Sequence, residues 1–397
     1  MSGPLAGYKV VDLTQVVSGP LATMLLADQG AEVVKVEPSG TLGDLTRLPA
    51  FAKGGLSAFY LINNRGKRSL SLDLQTDEGR QIVLDLAAEA DVFVQNFRPG
   101  AVDRLGVGYE QVKAVNPDIV YVSISGFGPT GPYSDQPVLD PVIQGLTGVI
   151  GRQVNPNIPF PDMVRNLLAD KSTALTTAQA ITAALLVKER TGEGQHVEIP
   201  MLDSCLYFFW PDGMMDMTLL DEDASPGFLL STVYNLTDAS DGQFVYFVAS
   251  DPQRHALYDA LDKPEWKEDP RFCDMQAMTN PENFQALGEL LAQEFSQRTV
   301  ADILERLRRH DVPCGPILSA EEVLVDPQVV HNGTIVQWQH ELAGTVQQPV
   351  PAARFEKTPA AVAESGSLKG ADNDAILGEL GRSAQQIAAL RDAGTII

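Results

Sequence analysis

The sequence predicts an α/β protein: a large domain on a doubly wound, mostly parallel, Rossmann-like sheet, plus a smaller α+β domain. Three observations carry this. Short β-branched runs alternate with helical stretches between residues 8 and 124. From Thr232 the pattern changes to one strand followed by short helices that are polar on one side. At 397 residues the chain exceeds one ordinary core, while 44% hydrophobic and 20% charged residues mark a folded globular protein.

The elements follow in order. Tyr8–Leu13 is a short strand, and Gly19–Gln29 carries helical apolar spacing through Leu21, Met24 and Leu25. Ala31–Glu37 is the next strand, and Leu70–Leu74 alternates as a strand should. A helix over Glu78–Ala90 leads to a strand at Asp91–Val94. A helix near Tyr109–Ala114 leads to a strand at Ile119–Ile124. Strands separated by helices imply right-handed βαβ crossovers, with ligands at the C-terminal strand ends. A long helix over Lys171–Arg190 stops at the turn Thr191–Gln195. Residues 204–228, rich in aromatics and Met without a clear period, are expected to be a connector. A strand at Gly242–Val248 and helices at 253–262, 281–296 and 299–310 make the small domain, which closes near Val312–Pro316. The expected division is thus 1–203 large domain, 204–228 linker, 229–328 small domain, and 329–397 a return segment. That segment gives little signal before two final helices that complete the large domain.

Composition narrows the function. Fifty-two acidic against 29 basic residues leave a net charge of −23, which argues against nucleic acid or anionic membrane as partner. No apolar run is long enough to span a bilayer, and no signal-peptide pattern opens the sequence. Three scattered cysteines suit a reducing, cytoplasmic setting, and five histidines show no metal spacing. Neither GxGxxG nor GxSxG is present, which disfavours a dinucleotide enzyme and a serine hydrolase.

Four segments carry chemistry. Asp170 stands where the long helix begins. There the helix dipole and unpaired N–H groups favour an ionised carboxylate able to attack an activated acyl carbon. An N-cap is the commoner role for Asp at such a position, and the two roles are compatible. Asn63–Ser69 gathers Arg65, Lys67 and Arg68 around a glycine beside a strand, suited to phosphate oxygens or to a solvated basic turn. Gln95–Gly100, with Arg104 downstream, follows a strand and so faces the ligand side of such a sheet. There Phe97 is placed to pack on a flat ring and Arg98 or Arg104 to meet phosphate. Ser125–Tyr133 is a loop punctuated by glycine and proline.

In their order and spacing these segments resemble the family III CoA-transferases (CaiB/BaiF family). The resemblance includes Leu5–Gly7 to Asp12, Ser18–Pro20, Gly30–Glu37, Asn64–Ser69, Asn96–Gly100 with Arg104, and Ser125–Gly128. It continues through Thr191–Gln195 to Asp203, Pro313–Pro316 and Asp326–Gln328. It implies that Asp170 is the catalytic nucleophile, attacking an acyl-CoA to give an aspartyl mixed anhydride. It also implies that Asn96, Phe97 and Arg104 line the CoA site, with Leu72, Lys67 and Arg68 close by. An interlocked homodimer is implied, with no permanently bound cofactor or metal and with coenzyme A entering as acyl-CoA substrate. A small carboxylic acid would be the acceptor. The related α-methylacyl-CoA racemases carry a histidine just before the aspartate that aligns with Asp140; here that residue is Leu139. A racemase is therefore the weaker alternative, as is an acyl-CoA-binding homologue without catalysis. The sequence also departs from the family after the nucleophile, with Ser172-Thr173-Ala174 in place of small glycines, and lacks a glycine run near 235–245.

Overall fold

The computed structural model describes residues 3–397 except 49, 154–161, 222, 225, 226, 228, 361 and 363–365. Two compact units are present, Met1–Leu229 with Asn332–Ile397, and Leu230–His331.

The first unit is built on six strands: β1 (Lys9–Asp12), β2 (Glu32–Pro38), β3 (Lys67–Leu72), β4 (Val92–Gln95), β5 (Val120–Ser125) and β6 (His196–Pro200). They form one sheet in the order β3-β2-β1-β4-β5-β6, and every pairing is parallel. Successive side chains point to opposite faces, so Val10 and Val94 enter one core while Val11 and Phe93 enter the other. The first core is closed by helices α1 (Ser18–Asp28) and α3 (Leu168–Thr191), through Leu26, Ile181 and Leu185. The second is closed by the Asp77–Ala88 helix and by Ile376, Leu377 and Ile387. Cover on both faces explains why the strands read as near-continuous apolar runs. Strand order reverses between β1 and β4, which opens a crevice at their C-terminal ends.

Two expectations need correction. Much of the 204–228 connector is helix: α4 spans Met201–Gly213, its period obscured by the run Phe208-Phe209-Trp210-Pro211. Residues 222, 225, 226 and 228 of that connector lie outside the described residues. The weak segment after 330 contains an antiparallel hairpin, Ile335–His340 with Gly344–Pro349. Its half-exposed, glutamine-rich strands give no apolar alternation to detect.

In the second unit, Gln243–Tyr246 is the middle of a three-stranded antiparallel sheet, between Thr237–Asp238 and Cys314–Pro316. Helices Asp251–Ala260, Pro281–Ser296 and Val300–Arg309 pack Leu257, Phe295 and Leu307 around Phe244.

Candidate active site

The crevice between β1 and β4 is shaped first by the loop after β1. Asp12 Oδ1 accepts from Thr14 N–H at 2.8 Å and from its hydroxyl at 2.5 Å, while Lys35 Nζ donates to Thr14 O at 2.7 Å. Asn96, just past β4, grips the next residue from both sides: its Oδ1 accepts from Gln15 N–H at 2.8 Å and its Nδ2 donates to Gln15 O at 2.7 Å. Asp44 Oδ1 then accepts from Val16 N–H at 3.1 Å. Held this way, Val16 takes φ 70, a left-handed conformation that a β-branched residue adopts only under constraint. Gly19 lets the chain turn tightly into α1, since a Cβ there would stand 2.3 Å from Thr14 Cβ. Asn96→Ala strands both Gln15 backbone groups, so we expect a loss of about 1–3 kcal/mol in thermal or denaturant unfolding.

Asp170 lies in the first turn of α3, two residues inside the helix, and is 7% exposed. It is not the N-cap: Leu167 holds that position without a side-chain bond. The capping role falls to Asp140, first residue of α2 (Asp140–Leu146), whose Oδ2 accepts from Asp170 N–H at 2.9 Å. Gln144 fixes Asp140 in turn, donating to Oδ1 at 2.6 Å. Ser18, at the start of α1, presents its backbone N–H and hydroxyl to the Asp170 carboxylate and favours its ionised form. Burial raises the Asp170 pKa and the nearby negative charge of Asp140 adds to that. The Ser18 bonds offset part of the rise, leaving it at about 6. Burial and a like charge thus raise the pKa of a carboxylate that its helix start alone suggests is ionised, without taking it above neutral pH.

A cavity of about 550 Å³ opens beside Asp170. The loops after four strands line it: Gln15, Val16 and Ser18 after β1, Asn96 to Pro99 after β4, Gly126 after β5 and Met201 after β6. Gly126 admits Val138 to the wall, since a Cβ there would lie 2.2 Å from Val138 Cγ1. Asp170, Asn96 and Phe97 are therefore brought together. Arg104 does not line the cavity, although a Cβ on neighbouring Gly100 would meet its Nη1 at 3.2 Å. Leu72 is fully buried in the sheet and also off the cavity wall.

The basic turn is a correction. Lys67 is buried, its ammonium donating to Asp12 Oδ2 at 2.9 Å and to Pro20 O and Asn64 Oδ1 at 2.8 Å each. Those three acceptors match its three N–H groups and leave none for a phosphate. Burial brings its pKa down to about 8. Burial alone would raise that of Asp12, but Lys67 and Lys35 hold the carboxyl below the usual range. Arg65 is paired with buried Asp28 at 2.5 Å, and Arg68 reaches Glu379 at 2.7 Å. Three adjacent cations looked like one anion site because sequence alone does not show that they point to three different acids.

The sequence reading missed Ser18 and Gln144, and Val16 with its strained backbone. The motif Ser18-Gly19-Pro20 was visible, but a serine donating to a carboxylate 152 positions later leaves no local signal. Missed too was the chain behind the 96–100 loop, where Phe97 N–H donates to Gln95 Oε1 at 2.8 Å and Gln95 Nε2 to Ser123 Oγ at 2.9 Å.

The model of CoA-transferase family III matches residues 5–373. The chain belongs to CoA-transferase family III. It is 32% identical to the succinyl-CoA:glutarate CoA-transferase of Homo sapiens, over 99% of this chain and 90% of that protein. It is 34% identical to the acetyl-CoA:oxalate CoA-transferase of Acetobacter aceti, over 84% of this chain and 86% of that protein. The crystal structure of a CaiB/BaiF family protein from Brucella suis superposes with a TM-score of 0.81 at 33% identity, covering 96% of this chain and all of that one. A family III CoA-transferase acts on CoA thioesters, and the crevice between β1 and β4 offers a concave site with a buried carboxylate in it. Among the described residues, no helix is long and apolar enough to cross a membrane, and no cluster of His, Cys, Asp and Glu could hold a metal ion.

Proposed function

We propose that this CoA-transferase moves CoA from an acyl-CoA to a carboxylic acid through covalent intermediates on Asp170. The observation that carries the reading is a buried carboxylate facing the cavity, its ionised form steadied by two donors from Ser18. An Asp170 oxygen attacks the thioester carbonyl, the C–S bond breaks, and a mixed anhydride and CoA thiolate result. The thiolate then attacks the aspartyl carbonyl, giving an aspartyl-CoA thioester and releasing the first acid. The acceptor carboxylate attacks that thioester, forming the second anhydride. Thiolate attack on its acyl carbon yields the new acyl-CoA and free Asp170. Each anhydride must be kept from water, which burial of Asp170 favours.

Asn96 in this reading supports the site by holding Gln15, while the backbone of the 96–100 loop, Phe97, Arg98 and Arg104 receive the CoA. Lys67 and Arg68 serve the scaffold. We further propose a homodimer, with no resident cofactor. The racemase alternative is disfavoured because no histidine lines the cavity among the described residues and Leu139 stands before Asp140.

The test is intact-protein mass spectrometry after incubation with acyl-CoA donors and hydroxylamine. A hydroxamate on Asp170 is expected; deuterium entering the α-carbon of a 2-methylacyl-CoA without any adduct would favour the racemase instead. The pH dependence is a second check. Attack needs the ionised carboxylate, so kcat/KM should fall as pH drops below about 6. Ser18→Ala removes a donor that favours the charged form, so its acid limb should move to higher pH. An unmoved limb would show that Ser18 does not tune the nucleophile.

A further inference from the structure

We propose that Gln95 and Ser123 are positioning residues for coenzyme A, holding the backbone at Phe97 in the conformation that lines the cavity. This rests on the reading that the 96–100 loop receives the CoA. Gln95 is the last residue of β4 and stands beside Ser123 of β5 in the parallel register, two residues along from the pair Phe93 and Tyr121. Those two rings stack at 5.1 Å and belong to the second core. The alternation of side chains along a strand puts Gln95 and Ser123 on the same face as that aromatic pair. An amide 5% exposed at such a position is costly unless its polar atoms are paired.

The partners form one chain across three strands. Phe97 N–H donates to Gln95 Oε1 at 2.8 Å, and Gln95 Nε2 donates to Ser123 Oγ at 2.9 Å. A backbone N–H can only donate, so the oxygen end of the amide faces Phe97 and the nitrogen end faces Ser123. Ser123 Oγ in turn lies 2.9 Å from Nε2 of His196, the first residue of β6. With Oγ accepting from Gln95, the Ser123 hydroxyl donates onward to His196, whose Nε2 then carries no proton. Burial lowers the His196 pKa against the pull of Glu198, Asp103 and Glu110, which favours that neutral ring. The ring is itself set by stacking on Tyr109 at 4.7 Å and by meeting Tyr121 edge-on at 5.3 Å. Each link thus has one polarity, and the fixed ring at the far end decides which way the Gln95 amide points. Adjacent side chains then serve two parts of the wall. Asn96 clamps the Gln15 backbone and Gln95 the Phe97 backbone, and Gln15 and Phe97 both line the cavity. Without the Gln95 oxygen, the loop loses the bond that keeps Phe97 and Arg98 on that wall.

Titration calorimetry of the full-length enzyme with free CoA measures the effect. Gln95→Leu should weaken CoA binding by about tenfold, the scale of one hydrogen bond lost at the loop. Ser123→Ala leaves the Gln95 amide unsteered and should weaken binding by about threefold to fivefold. Ser123→Thr keeps the hydroxyl on a residue that suits a strand, and should bind within about twofold of the parent enzyme. Melting temperatures identify any variant that has not folded, and the two Ser123 variants decide the matter if Gln95→Leu is one. A merely structural pair would lower the melting temperature and leave CoA affinity alone, and that result overturns the inference. So does a Ser123→Thr enzyme that binds as weakly as Ser123→Ala. The double variant Phe97→Ala, Arg98→Ala tests the loop itself. If it binds CoA as the parent does, the loop does not receive CoA, and that reading and this inference fall together. If it binds weakly while Gln95→Leu and Ser123→Ala bind normally, the positioning role alone is overturned.

Discussion

Asp170→Ala will abolish CoA exchange while the protein remains folded. Removal of a covalent nucleophile costs about four to six orders of magnitude in turnover, because no other group can form the intermediate. Asp140 is no substitute: both of its oxygens are held, by Asp170 N–H and Gln144, and it does not line the cavity. Asp170→Asn sharpens the test by preserving shape. The folded-state pKa of Asp170 is raised from 3.8 to about 6, so the folded protein binds this proton more tightly than the unfolded chain does. Ionising the group therefore costs stability. The cost is absent below about pH 4, grows as pH rises to 6 and is fully present at neutral pH. Removing the charge should thus raise stability at pH 7 by on the order of 2 kcal/mol, with little gain at pH 4. The measurements are CoA exchange and melting temperature at the two pH values. An asparagine variant that retained exchange, or that melted lower at pH 7, would contradict the account given for this carboxylate.

Lys67→Met will be among the most damaging scaffold substitutions. It strands Asp12, which is fully buried and also anchors Thr14 and Thr23. Breaking one partner from a buried pair costs about 3–5 kcal/mol, since the remaining charge keeps its desolvation penalty. Arg68→Ala is the control one residue away. Its partner Glu379 is largely exposed, and such a pair contributes at most about 1 kcal/mol. Denaturant unfolding of the two variants measures the contrast. Equal losses would mean that the buried network under the β1–α1 loop is not what holds it.

How much of this was legible in the sequence depends on the range of the interactions. Strand alternation, the strand-terminal loops and the placement of Asp170 near a helix start are local, so Val10, Val33 and Ile181 announce their cores by periodicity alone. The pairing of β1 with β4 at the strand-order reversal follows from general rules of winding. Which acid each cation meets is not local: Lys67 finds Asp12 across 55 positions and Arg68 finds Glu379 across 311. The hairpin at 335–349 was hidden for a different reason, because its outward glutamines mask its period.

Edge strand β3 has a consequence for how this protein is made. Its outward N–H groups at Ser69 and Ser71 are satisfied by Asp372 Oδ2 at 2.7 Å and Asn373 Oδ1 at 2.8 Å, and Asp73 N–H by Thr395 O at 2.8 Å. Those partners lie some 300 positions later in the chain. At about 5–20 residues per second, the nascent edge waits on the order of 15–60 s before it is covered. During synthesis the sheet therefore offers an unprotected strand to neighbouring nascent chains, and the segment 367–397 acts as an edge guard made long after the strand it covers.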